Sequence, residues 1–147
     1  MAEILRYCDP NAAAAGDGTT NALSGGNCAY VSLNAWEAAT QQDLTDAGGD
    51  TARVVCSSDD AGSTHVADTT GVTIDGWTTG ASNYITIEAA SSHGGKWNDN
   101  VYRLSLSNST AISISEDFIR FIGIQLAVLN INSTGQNPFS IILIVSL

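Results

Sequence analysis

Two periodicities divide the chain. Between Ser32 and Asp43 the residues Leu33, Trp36 and Ala39/Thr40 recur at helical spacing within an Ala-rich run, and Ser32 stands where a capping hydroxyl belongs. That pattern predicts one α-helix over about residues 32–43, ended by Asp46-Ala-Gly-Gly49. Elsewhere apolar and polar residues alternate in short runs, so that each run buries one face of a strand and wets the other. Strands are predicted over 3–8, 51–56, 71–75, 84–88, 101–106, 111–115, 118–126, 128–131 and 140–145. Asp9-Pro10-Asn11 breaks the first of these, and a Gly/Ala/Asn/Thr-rich loop follows to Asn27.

The strand pattern repeats. Gly71-Val-Thr-Ile-Asp75 followed by Asn83-Tyr-Ile-Thr-Ile-Glu88 resembles Thr110-Ala-Ile-Ser-Ile-Ser115 followed by Asp117-Phe-Ile-Arg-Phe-Ile122. A third strand follows each pair, and Ser140 begins the next round, so the period is about 30–40 residues. Equivalent strands are expected to stack in parallel as a solenoid. Hairpins would need Asn-Gly or Asp-Gly turns between neighbouring strands, and Asp75-Gly76 is the one strong candidate.

Composition narrows the partners. The 147 residues carry 15 Asp+Glu against 5 Lys+Arg, a formal net charge of −10, which disfavours nucleic acid and anionic membrane. With 44% hydrophobic and only 14% charged residues, the chain is built to fold. No basic and apolar leader opens it, and no run of about 18 apolar residues occurs, so neither a signal peptide nor a membrane span is expected. The three cysteines, Cys8, Cys28 and Cys56, lack zinc-site spacing; they read as small buried hydrophobes, with a Cys8–Cys28 disulfide as the alternative. Asn108-Ser-Thr110 and Asn132-Ser-Thr134 are glycosylation triplets that matter only in a eukaryotic secretory route.

The chain resembles the N-terminal part of right-handed parallel β-helix proteins of the pectate-lyase-like class, of phage, prophage and environmental bacterial type. The resemblance is carried by Tyr7-Cys-Asp-Pro-Asn11, Gly16-Asp-Gly-Thr19, Ala29-Tyr-Val-Ser-Leu-Asn-Ala-Trp-Glu-Ala38, Gly49-Asp-Thr-Ala-Arg-Val-Val-Cys56, Val72-Thr-Ile-Asp-Gly-Trp77, Asn83-Tyr-Ile-Thr-Ile-Glu-Ala89 and His93-Gly-Gly-Lys-Trp97. It implies an all-β fold: a short right-handed parallel β-helix with one N-terminal capping α-helix. Residues 1–50 would form the first strand, loop and cap, and residues 51–147 the coils, as one structural domain. The last strand stops without a cap, with only Pro138 guarding an uncharged run of high β-propensity. Either the chain is a piece of a longer protein, or another copy or subunit covers that end.

Chemistry is less legible. Asp59, Asp60 and Asp68 lie in one polar loop and are the Ca²⁺ candidates, without EF-hand or nonapeptide spacing; a solvated loop is the plain alternative, and no other cofactor is expected. Trp77, Trp97 and Tyr102 with Asn98 and Asp99 could stack on and hydrogen-bond a sugar, or the rings could simply fill core corners. Asp75, Glu88, Glu116 and Asp117 lie at strand ends and turns and are the candidates for two converging carboxyls as in a glycosidase, but no catalytic signature frames them. Arg53, Arg103 and Arg120 are expected to offset neighbouring carboxylates, and His65 and His93 have no nucleophile at a triad spacing. The sequence therefore points to a structural or binding module of an extracellular, cell-surface or virion appendage, self-associating through its open end. A glycan-binding module or a polysaccharide-degrading enzyme fragment is the alternative.

Overall fold

A computed structural model describes residues 2–13, 16–46, 48–58, 65–107, 109–130 and 139–144. Among the described residues nine strands and one helix are ordered β1 (Glu3–Cys8), α1 (Leu33–Thr40), β2 (Thr51–Cys56), β3 (Val72–Ile74), β4 (Ile85–Ala89), β5 (Arg103–Ser107), β6 (Ile112–Ile114), β7 (Ile119–Ile122), β8 (Gln125–Asn130) and β9 (Phe139–Ile144). They form three sheets, in the orders β1-β2-β4-β7, β3-β6 and β5-β8-β9. Every pair is parallel except β8–β9. The fold is thus mostly β with one short helix.

Alternation in the sequence becomes rows of side chains. In the four-stranded sheet, Ile4, Ala52, Ile85 and Ile119 lie in register, as do Arg6, Val54, Ile87 and Phe121. The apolar members of these rows enter one core with Leu33, Trp36, Leu44, Ile74, Trp77, Tyr102 and Ile124. That core joins residues from both the N-terminal and the later segment. Ser32 Oγ accepts from Ala35 N at 3.0 Å, capping α1, and Leu33 and Trp36 are buried on the helix's inner face. The helix stops at Thr40, earlier than periodicity suggested. Asp43 bridges Thr78 in parallel, with Thr78 N bonded to the Gln42 carbonyl, so the residues after Thr40 are drawn into extended pairing.

Three expectations need correction. The parallel β-helix is overturned: the short strands lie in separate small sheets that do not close into a solenoid. Alternation specifies which face of a strand is buried, but not how one sheet meets the next. The strand expected over 118–126 is two, because Gly123 takes φ +66° and turns the chain between β7 and β8. The last strand does not open a further parallel round; β9 returns antiparallel on β8, with Leu126 opposite Leu143 and Val128 opposite Ile141.

Candidate functional site

A heavily engaged buried carboxylate is Asp68, which is 2% exposed. Its Oδ2 accepts from Leu33 N at 2.8 Å and from the Tyr102 hydroxyl at 2.8 Å, and its Oδ1 accepts from Thr70 N at 2.9 Å. One carboxylate thereby ties the first turn of α1 to the start of β5, and the Asp68 backbone bridges Leu104. Burial raises its pKa above the usual carboxylate value, and the bonds from Leu33, Thr70 and Tyr102 pull the other way. Tyr102 is itself buried and its hydroxyl is pushed well up by desolvation. This knot is structural: both carboxylate oxygens are taken by donors from three parts of the chain.

The structure does not assemble the expected sugar-binding face. Trp77 is 5% exposed and stacks on Trp36 at 5.6 Å between ring centroids, and Tyr102 is 1% exposed beneath Asp68. Rings held inside the core cannot present a face to a saccharide, so these two leave the set. Trp97, Asn98 and Asp99 stay together in the 93–100 loop, where Trp97 Nε1 donates to Asp99 Oδ1 at 2.8 Å. The fully buried Gln125 holds that loop from below: Asn98 N donates to its Oε1 at 2.7 Å, and its Nε2 donates to the Asn98 carbonyl at 2.9 Å.

The remaining candidates are dispersed. Asp59 and Asp60 lie outside the described residues, as do Asn108 and Asn132, while Asp68 is committed to the bonds above. Among the described residues no three His, Cys, Asp or Glu side chains gather as a metal site. A Cys8–Cys28 disulfide is not formed; all three thiols are free and buried. The ladder sets Cys8 opposite Cys56, and Cys28 packs apart with Ala12 and Ala29. Desolvation raises the Cys8 thiol well above its ordinary value, leaving little thiolate.

Three of the strand-end acids serve separate partners through their carboxylates, and the fourth, Asp117, through its backbone carbonyl. Asp75 Oδ1 accepts from Gln41 Nε2 at 3.3 Å, Glu88 pairs with Arg53, and Glu116 Oε1 accepts from Trp77 N at 3.1 Å. The Asp117 carbonyl takes the Thr79 hydroxyl at 2.9 Å. Arg53 also reaches Glu3 at 3.5 Å, and Arg103 Nε lies 3.4 Å from Asp99, whereas Arg120 sits 3.7 Å over the Tyr84 ring instead of beside a carboxylate. His65 Nδ1 meets the Ser58 carbonyl, and His93 Nδ1 accepts from Gly95 N at 3.0 Å. No helix among the described residues is long and apolar enough to cross a membrane.

One surface stands out. In the ladders the core-facing residues are closed in on the inner strands and more open toward the edges, at Ile4 on β1 as well as on β6 and β7. Ala52 and Ile85 are 2% and 0% exposed, but Ile119 beside them is only half-buried; Val54 and Ile87 are fully buried, but Phe121 is half-buried. Val72 and Ile74 are covered, whereas their partners are the half-buried Ile112 and Ile114, 51% exposed. Leu104 and Leu106 are covered, whereas Leu126 and Val128 are half-buried. Phe118, at φ +54° and 50% exposed, and Ile122, 39% exposed, lie beside and on β7. Exposed large hydrophobics on the edge strands β6 and β7, which have no further strand beside them among the described residues, mark an interaction surface. Comparison with known proteins finds no matching family model, curated protein or solved structure.

Proposed function

We propose that this protein is a structural module that binds a second copy of itself through the edge formed by β6 and β7, as a building unit of a cell-surface or virion appendage. The observation that carries this reading is the exposure of Ile114 on β6 and of Phe118 and Ile122 at β7. The opposite end is occupied. Tyr7 N donates to the Gly18 carbonyl, Tyr30 N to the Tyr7 carbonyl and Asp9 N to the Tyr30 carbonyl, so part of the outer edge of β1 is already paired. Head-to-tail addition is therefore obstructed, and like ends meet, an arrangement that closes at two copies. A polysaccharide-degrading role has less support, because the strand-end acids are engaged separately.

Light scattering over a concentration series tests the reading. Dimer is expected, strengthened by added salt because two chains of net charge −10 repel. The doubly substituted Ile114→Lys, Ile122→Lys protein is expected to remain folded and monomeric. A wild-type monomer at the highest soluble concentration would overturn the proposal.

A further inference from the structure

Arg6 breaks the alternation of β1. It occupies the core-facing row of Val54 and Ile87, between Ile4 and Cys8 on the same face, where an apolar residue is expected. Its Nη1 donates to the Leu5 carbonyl at 2.9 Å, while Nε is shielded from solvent and meets no acceptor. Among the described residues Arg6 forms no ion pair. A guanidinium has five donors in a planar fork, and leaving them unmatched in a sheltered place is costly.

Beside it lies a hollow of about 300 Å³, walled by Arg6, Asp17, Thr19, Tyr30, Gln41 and Gln42. The sequence builds this hollow from three directions: β1 supplies Arg6, the loop after it Asp17, Thr19 and Tyr30, and the exit of α1 the two glutamines. Gly18 lets the loop close, since a Cβ there would lie 2.4 Å from the Tyr30 ring. Asp17 Oδ1 is taken by Thr19 N at 2.9 Å and the Thr19 hydroxyl at 2.7 Å. Those bonds, and more weakly the Arg6 charge, hold Asp17 below its usual pKa and keep it ionised.

The walls select the ligand. A carboxylate beside the guanidinium repels anions, and the guanidinium repels cations, so a neutral molecule is favoured. It must donate to Asp17 and the glutamine carbonyls while accepting from Arg6, and vicinal hydroxyls do both. Tyr30 offers an aromatic surface for an apolar face. The volume sits at the lower end of ligand pockets, about 300–1,000 Å³, enough for one ring. We propose that this hollow binds a neutral polyhydroxyl ligand, a single sugar ring, with a small swing of Arg6 turning its Nε–Nη2 edge to the hydroxyls. The site is distinct from the Trp97 loop and does not rest on the association proposed above.

Nuclear magnetic resonance titration with methyl glucoside, methyl galactoside and methyl mannoside, to about 100 mM, tests it; so open a site is expected to bind with Kd of about 1–10 mM. The Arg6 Nε–H is followed directly, since a shielded proton exchanges slowly, together with the side-chain amides of Gln41 and Gln42. One glycoside is expected to shift all three saturably. Arg6→Lys, and Gln42→Ala at the exposed helix exit, are each expected to weaken binding at least threefold. Shifts from none of the glycosides, shifts centred on the Trp97 indole, or unchanged affinity in the folded Gln42→Ala protein would overturn the assignment.

Discussion

Asp68 shows how one side chain can hold distant parts of a small protein together. Replacing it with Ala strands the Leu33 amide and the Tyr102 hydroxyl in a dry place, and is expected to cost about 3 kcal/mol in denaturant unfolding. Its pH effect runs opposite to that of most carboxylates. Because burial raises the folded pKa above the unfolded one, the folded state binds the extra proton, and Asp68's contribution to stability falls as pH rises from about 4 through that raised value. Asp17 and Asp43 act the other way: hydrogen bonds from Thr19 and Thr45 lower their pKa values, so their support is present above pH 4 and lost in acid. Removing the Asp68 carboxylate as Asp68→Asn is expected to abolish this contribution, so that stability responds more favourably to rising pH above about 4 than in the wild type; an unchanged profile would refute the assignment. The polar character of this residue was plain in the sequence, but not its burial. Arg6 gave a clearer signal, as a polar residue standing in the apolar phase of β1.

The elements were largely legible. The predicted runs at 3–8 and 51–56 coincide with β1 and β2, and those at 71–75, 84–88 and 101–106 with β3, β4 and β5 to within a residue or two at each end, because alternation records which face meets the core. Boundaries failed where geometry overrode pattern. Gly123 is the case in point: the run from Phe118 to Leu126 reads as one strand, yet positive φ at Gly123 breaks it. A Cβ there would lie 3.6 Å from Ala89 Cβ, an ordinary contact, so Gly123→Ala should suffer from backbone strain alone. A loss of about 1 kcal/mol is expected in thermal or urea unfolding. No loss would mean that the turn does not need its left-handed conformation.

For the molecule as a whole, burial is deepest on the inner strands and falls toward the sheet edges at β1, β6 and β7. Ile87→Ala is expected to cost about 3–4 kcal/mol, within the range for fully buried aliphatic residues, and Ile119→Ala markedly less in the monomer. If association covers β7, the Ile119→Ala penalty should grow with protein concentration, since binding between folded chains adds to stability. Equal penalties at every concentration would argue against the graded core and against its cover.

What could be known before folding was local: a capped helix, a set of one-face strands, a chain rich in hydroxyls and carboxylates and poor in cations. These follow from spacing and composition, which act within a few residues. The arrangement of sheets, the reversal of β9, the pairing of Cys8 with Cys56 and the withdrawal of Trp77 and Tyr102 into the core depend on contacts between residues far apart in sequence. Such contacts are chosen by the packing of the whole, and the short-range pattern is compatible with more than one solution.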